Sequence, residues 1–155
     1  MFNLDSYAIN GASSPTTLSG AQASTIADSG TVSTSPRDDM HILTWRQSIN
    51  WLPTGLVTSY YNLISGAQYS DNWGGMVFPC SATLPDLTLY IGGQGLTLPG
   101  SLVNYASLND GSGNCFGGIQ DGSVNGFNIL GDTFLKSQFV VFDRGVPQLG
   151  FAAQA

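Results

Sequence analysis

The chain has 155 residues, ten acidic against four basic side chains, a net charge of −6 and only 9% charged residues. That length makes one globular domain, and the acid excess gives no electrostatic basis for gripping phosphate, which excludes nucleic acid and anionic membrane surfaces as partners. With no run of eighteen apolar residues nothing spans a bilayer, and so sparse a charge, spread among Ser, Thr, Asn and 20 Gly, argues against coiled coils and helical bundles.

Residues 2–9 (FNLDSYAI) alternate apolar with polar side chains and predict a strand leading into the Asn10-Gly11 turn. Residues 21–27 (AQASTIA) predict a second strand, running into Asp28-Ser29-Gly30-Thr31. After Pro53, the positions Leu56, Val57, Tyr60, Tyr61 and Ile64 fall at helical spacing and predict one amphipathic helix capped by Gly66. Strand-like pieces follow over 75–79, 87–91, 115–119, 127–130 and 138–142, with 102–106 open to a short helix. The predicted fold class is mainly β with one or two short helices.

Chemistry is narrowed by what is missing. Every acidic residue is Asp, Lys136 is the only Lys and His41 the only His, which leaves no clustered His for zinc and little room for His-based catalysis. Any mechanism must rest on carboxylates, hydroxyls and backbone, with no metal and no cofactor. Cys80 and Cys115 are the only cysteines and lack CxxC spacing. They are buried thiols in a cytosolic chain or a disulfide in an exported one, and the Thr/Ser/Gly-rich composition favours the disulfide. Residues 1–7 have neither a basic nor an apolar leader region, so no signal peptide is expected.

One segment breaks the pattern. Residues 32–47 (VSTSPRDDMHILTWRQ) hold Arg37, Asp38, Asp39, Arg46 and His41, a shift in composition that marks an insertion, with a solvated surface loop as the simplest form.

Four stretches carry a family resemblance. Thr25-Ile26-Ala27-Asp28-Ser29-Gly30-Thr31 resembles the second Asp-Thr/Ser-Gly motif of pepsin-like aspartic endopeptidases. Phe127-Asn128-Ile129-Leu130-Gly131-Asp132-Thr133-Phe134-Leu135, followed by residues 138–143 (QFVVFD), resembles that family's carboxy-terminal signature. Residues 99–105 (PGSLVNY) and 147–152 (PQLGFA) are similar to fungal secreted acid proteases of the penicillopepsin and aspergillopepsin type. The resemblance covers nearly the whole chain outside 32–47.

It implies a two-lobed β enzyme in which each lobe gives one Asp to a shared pair, with residues 1–155 as the carboxy-terminal lobe interrupted at 32–47. Asp28 would be one catalytic carboxyl. Ser29 would lock the lobes through hydroxyl-to-backbone bonds, Gly30 would permit close approach of the chains, and the Thr31 hydroxyl would bond the outer Asp28 oxygen. Ile129, Leu130 and Gly131 would pack beneath that loop. Ile26 and Ser48 would bind substrate, and Cys80 and Cys115 match the disulfide of the same lobe. Asp132 and Asp143 are read as turn or capping carboxylates, Trp51, Trp73 and the Tyr60-Tyr61 pair as packing residues, and His41 as an exposed loop residue.

The implied partners are a peptide or protein substrate and an amino-terminal lobe missing from these residues; the parent family is secreted. Removing 32–47 restores DSGTSINWLP, the uninterrupted family pattern, and the segment's ends can be encoded by splice-donor and splice-acceptor sequences. It therefore reads as a translated intron, against a true loop insertion. Two other readings of function stay open: a homodimer in the manner of retroviral proteases, with two copies of Asp28, and a non-enzymatic β module that binds a protein or sugar.

Overall fold

The structure is a computed structural model that describes residues 1–28, 49–143, 145–146 and 148–153. The predicted strand over 2–9 is two strands, β1 (Phe2–Asn3) and β2 (Ser6–Ile9), in different sheets. Between them Leu4 is fully buried and donates its amide to the Ala23 carbonyl, while the Asp5 amide donates to the Tyr90 carbonyl, each at 2.8 Å. Alternation reports a pleated backbone but not its partner, and here the partner changes mid-run. Asn10 and Gly11 then turn the chain with φ of 52° and 66°, as the sequence predicts.

β3 (Thr16–Thr17) and a 3-10 turn over Gly20–Gln22 come next, so the strand expected from residue 21 begins only at β4 (Ser24–Ala27). β5 (Asn50–Leu52) leads into α1 (Thr54–Tyr61), the predicted helix. It buries Leu56, Val57, Tyr60 and Tyr61, all on one face at this spacing. The Tyr60 and Tyr61 hydroxyls donate to the carbonyls of Pro85 and Ile119 at 2.7 and 2.8 Å. The helix ends at Asn62, before Gly66, which instead sits at φ 80° in the following turn.

The remaining chain is strands and single helical turns. β6 (Gln68–Ser70), β7 (Gly75–Pro79), β8 (Leu87–Ile91) and β9 (Gln94–Leu98) precede α2 (Gly100–Val103) and β10 (Asn104–Ser107), so the segment 102–106 is half helix and half strand. The strand expected over 115–119 divides at Gly118 into β11 (Asn114–Gly117) and β12 (Ile119–Asp121). β13 (Asn128–Leu130), α3 (Asp132–Leu135), β14 (Gln138–Asp143) and β15 (Gln148–Ala153) complete it. The mainly-β expectation is met. Among the described residues no helix is long and apolar enough to cross a membrane.

Four sheets result, with strand orders β1-β4-β13-β5-β12, β10-β11-β7-β6, β3-β2-β8-β9 and the hairpin β14-β15. A main core gathers Leu52, Leu56, Tyr60, Phe78, Leu87, Leu130, Phe134 and their neighbours, and a smaller one, Ile49, Val77, Leu108 and Phe116, carries half-buried Trp51, Trp73 and Tyr105. Cys80 and Cys115 are joined in a disulfide, at the meeting of β7 and β11. Closing a loop of that span stabilises the fold by about 3–4 kcal/mol on the chain-entropy model. On the β14-β15 hairpin, Phe139, Val141 and Phe142 are exposed.

Candidate functional site

The five-stranded sheet brings together stretches that lie a hundred residues apart in sequence. β4 and β13 run parallel, pairing Thr25 with Asn128, Ile26 with Ile129 and Ala27 with Leu130. β5 lies antiparallel on the other side of β13, with Trp51 opposite Ile129. β4 and β13 therefore end at the same edge of the sheet, and β5 begins there. Asp28 is the first residue beyond β4 at that edge, half-buried, its amide donating to the Leu130 carbonyl at 3.0 Å.

The two faces of this sheet differ. Thr25, Asn128, Leu130 and Leu52 are buried on the core side. Ile26, Ile129 and Trp51, directly opposed across three strands, form a half-buried apolar row on the other side. Of the residues expected in the site, the structure thus sets Ile26, Asp28, Ile129, Leu130 and Gly131 on adjoining strands. Ser29, Gly30, Thr31, Ser48 and the segment 32–47, with His41, lie outside the described residues.

Polar side chains to which the sequence assigns no role hold this arrangement. The Thr25 hydroxyl donates to the Ala23 carbonyl at 2.9 Å, and Asn128 Nδ2 donates to the Gln22 carbonyl at 2.7 Å and to Thr25 Oγ1 at 3.2 Å. Asn50 Oδ1 accepts the Gly131 amide at 3.0 Å. Their hydrogen-bonding role is not read from the sequence; the available signal is a polar residue at an inward position of an apolar strand, which must find a partner when buried. Gln120 does the same between sheets, accepting from the Met76 amide at 2.7 Å and donating to the Met76 and Gly117 carbonyls.

Asp132 and Asp143 are structural in setting. Asp132 occupies the first turn of α3, where its charge suits the helix start. Asp143 accepts the amides of Val146 and Gly145, and those bonds hold its carboxyl below the usual range. A cavity of about 170 Å³ lined by Gln22, Pro53, Gly122, Phe127 and Asn128 lies at the opposite end of the sheet from Asp28. Among the described residues, the Asp28 edge presents one carboxyl at a hydrogen-bonded strand end beside an apolar row.

The family model for eukaryotic aspartyl protease matches residues 1–154. Aspergillopepsin-1 of Aspergillus clavatus is 46% identical over 154 residues, covering 99% of this chain and 34% of that protein. Penicillopepsin-2 of Penicillium janthinellum is also 46% identical, over 99% of this chain and 34% of its own length, and penicillopepsin-1 of the same organism 47% identical, over 99% and 41%. The chain spans about a third of the length of the first two.

Proposed function

This chain belongs to the eukaryotic aspartyl protease family, and we propose that it is the carboxy-terminal lobe of a secreted acid endopeptidase, contributing one carboxyl, Asp28, to a catalytic pair. The observation that carries the reading is the convergence of β4, β13 and β5 at one sheet edge. It sets Asp28 beside the 129–131 stretch in a chain 46% identical to aspergillopepsin-1 of Aspergillus clavatus. Ser29, Gly30 and Thr31 would complete the loop around Asp28, Ile26 and Ser48 would meet substrate, and residues 32–47 are an interruption of the lobe.

The chemistry follows from two carboxyls held close together. Both cannot ionise readily, so they share a proton and titrate as a pair. The ionised member takes a proton from a bound water, which attacks the scissile carbonyl carbon, while the protonated member gives its proton to the carbonyl oxygen. Collapse of the resulting diol, with protonation of the leaving nitrogen, breaks the peptide bond. One lobe supplies half of this machinery, and in this reading the second carboxyl comes from an amino-terminal lobe. The exposed Phe139, Val141 and Phe142 are the apolar surface on which such a lobe would pack. The Cys80–Cys115 disulfide suits an exported protein.

The test is to refold the chain alone and together with the amino-terminal lobe of penicillopepsin-1, and to assay peptide hydrolysis in acid. The pair is expected to cut, the chain alone to be inactive, and Asp28→Asn to lower the pair's rate by about 10³-fold or more. Hydrolysis by the chain alone at dimer mass would replace this reading with the homodimer. A stable two-lobe complex that binds peptide without cutting it would replace it with a binding module.

A further inference from the structure

A single peptide group, Leu130–Gly131, links two residues on opposite sides of β13. Its carbonyl accepts the Asp28 amide at 3.0 Å, and its N–H donates to Asn50 Oδ1 at 3.0 Å. Asn50 is fully buried, with its backbone amide fixed on the Gly118 carbonyl at 2.8 Å. Because Gly131 provides a hydrogen, Oδ1 must face it. Nδ2 is then turned away, and it has no hydrogen-bond partner among the described residues.

A buried amide nitrogen without a partner is costly, and an apolar side chain of similar volume would avoid that cost. What Asn50 provides in return is the acceptor. β5 and β13 pair through Ile129 and Trp51 alone, and Gly131 has no side chain to restrain the peptide plane. Without Asn50 the Gly131 N–H would be left unpaired and the plane free to tilt. With it, the bonded N–H also polarises the carbonyl that anchors Asp28.

We propose that Asn50 is a positioning residue for Asp28, holding the Leu130–Gly131 peptide from one side so that its carbonyl fixes the Asp28 backbone from the other. The catalytic meaning of this role rests on the protease reading above; the positioning itself does not.

The test measures amide hydrogen exchange of Asp28 in the 155-residue chain, taken as a ratio to Cys80. The Cys80 amide donates to the Gly113 carbonyl at 3.0 Å in a different sheet. Asn50→Leu removes the acceptor at similar volume, and Asn50→Ala removes it without crowding should the Leu variant fail to fold. In acid Asn50→Asp keeps a neutral acceptor. The Leu or Ala variant is expected to raise the Asp28 to Cys80 exchange ratio about tenfold, and Asn50→Asp to restore it in acid. An unchanged ratio in a folded variant, including one where both amides speed up equally, overturns the proposal. In the refolded two-lobe pair, the same variants are expected to lower kcat with KM unchanged. If the unmutated pair is inactive, the protease reading falls while the exchange ratio still decides the role of Asn50.

Discussion

Deleting residues 32–47 joins Thr31 directly to Ser48 and tests whether this segment is a foreign insert. β4 and β5 flank β13, so their facing ends lie two strand spacings apart, about 10 Å. In the shortened chain Asp28 reaches Ile49 through Ser29, Gly30, Thr31 and Ser48, five steps that extend to about 17 Å. The link is therefore long enough to leave the strand pairing untouched. The connection between Asp28 and Ile49 falls from twenty residues to four. For a connection that adds no contacts of its own, the closure entropy recovered is about 1.4 kcal/mol. That corresponds to a rise in Tm of about 3–6 °C for a domain of this size. Calorimetry on the two chains measures it, with the amide shifts of Leu130 and Trp51 as a check on the sheet. A lower Tm, or displaced shifts at those residues, would refute the reasoning and make the sixteen residues a built part of the lobe. Transcripts in which the Thr31 and Ser48 codons are adjacent are expected on the same grounds.

Two further outcomes follow from packing and titration. A Cβ at Gly117 would overlap the Tyr61 hydroxyl, which is itself committed to the Ile119 carbonyl, so Gly117→Ala is expected to lower stability by about 1–3 kcal/mol in urea titration. Trimming the clash with Tyr61→Phe should recover part of that loss. Burial raises the ionisation of Tyr60 and Tyr61 well above the usual 10.0, helped at Tyr60 by the nearby Asp86 carboxylate and at Tyr61 by Tyr60. A raised value in the folded state means the native chain binds more protons than the unfolded one above pH 10, so the stability linked to these groups is full below that pH and lost as pH rises. Tyrosinate absorbance should therefore show two of the six tyrosines titrating only as the protein unfolds; their titration in a chain that keeps its native circular dichroism would contradict the burial argument.

Elements with a local cause were legible in the sequence. The helix at Thr54–Tyr61 is written in the spacing of Leu56, Val57, Tyr60 and Tyr61, and the strands at Gly75–Pro79 and Leu87–Ile91 in runs bounded by turn residues. Elements whose cause is distant were not. β3 and β6 are edge strands whose identity comes from a neighbour rather than from their own apolar content, as the exposed Thr16, Thr17, Gln68 and Tyr69 illustrate. The break in residues 2–9 likewise depends on the Ala23 and Tyr90 carbonyls, which no local window contains.

The site divides along the same line. Asp28, Ile26 and the 129–131 stretch stand out in the sequence through a family resemblance, and the pairing of β4 with β13 sets them at one sheet edge. The hydrogen-bonding roles of Thr25, Asn50, Asn128 and Gln120 do not, because these side chains satisfy backbone groups at places where strands diverge or sheets meet, and any polar side chain of the right reach would satisfy the sequence pattern. The antiparallel pair β13 and β5 is in register only at Ile129 and Trp51. Where β13 leaves the sheet at Gly131, the ladder has no further backbone acceptor to offer, and Asn50 provides one from β5. The stiffness of the Asp28 edge is thus set by a residue outside the motif, so two chains with identical Asp-Ser-Gly-Thr motifs would hold their carboxyls differently if they differed at this one buried position.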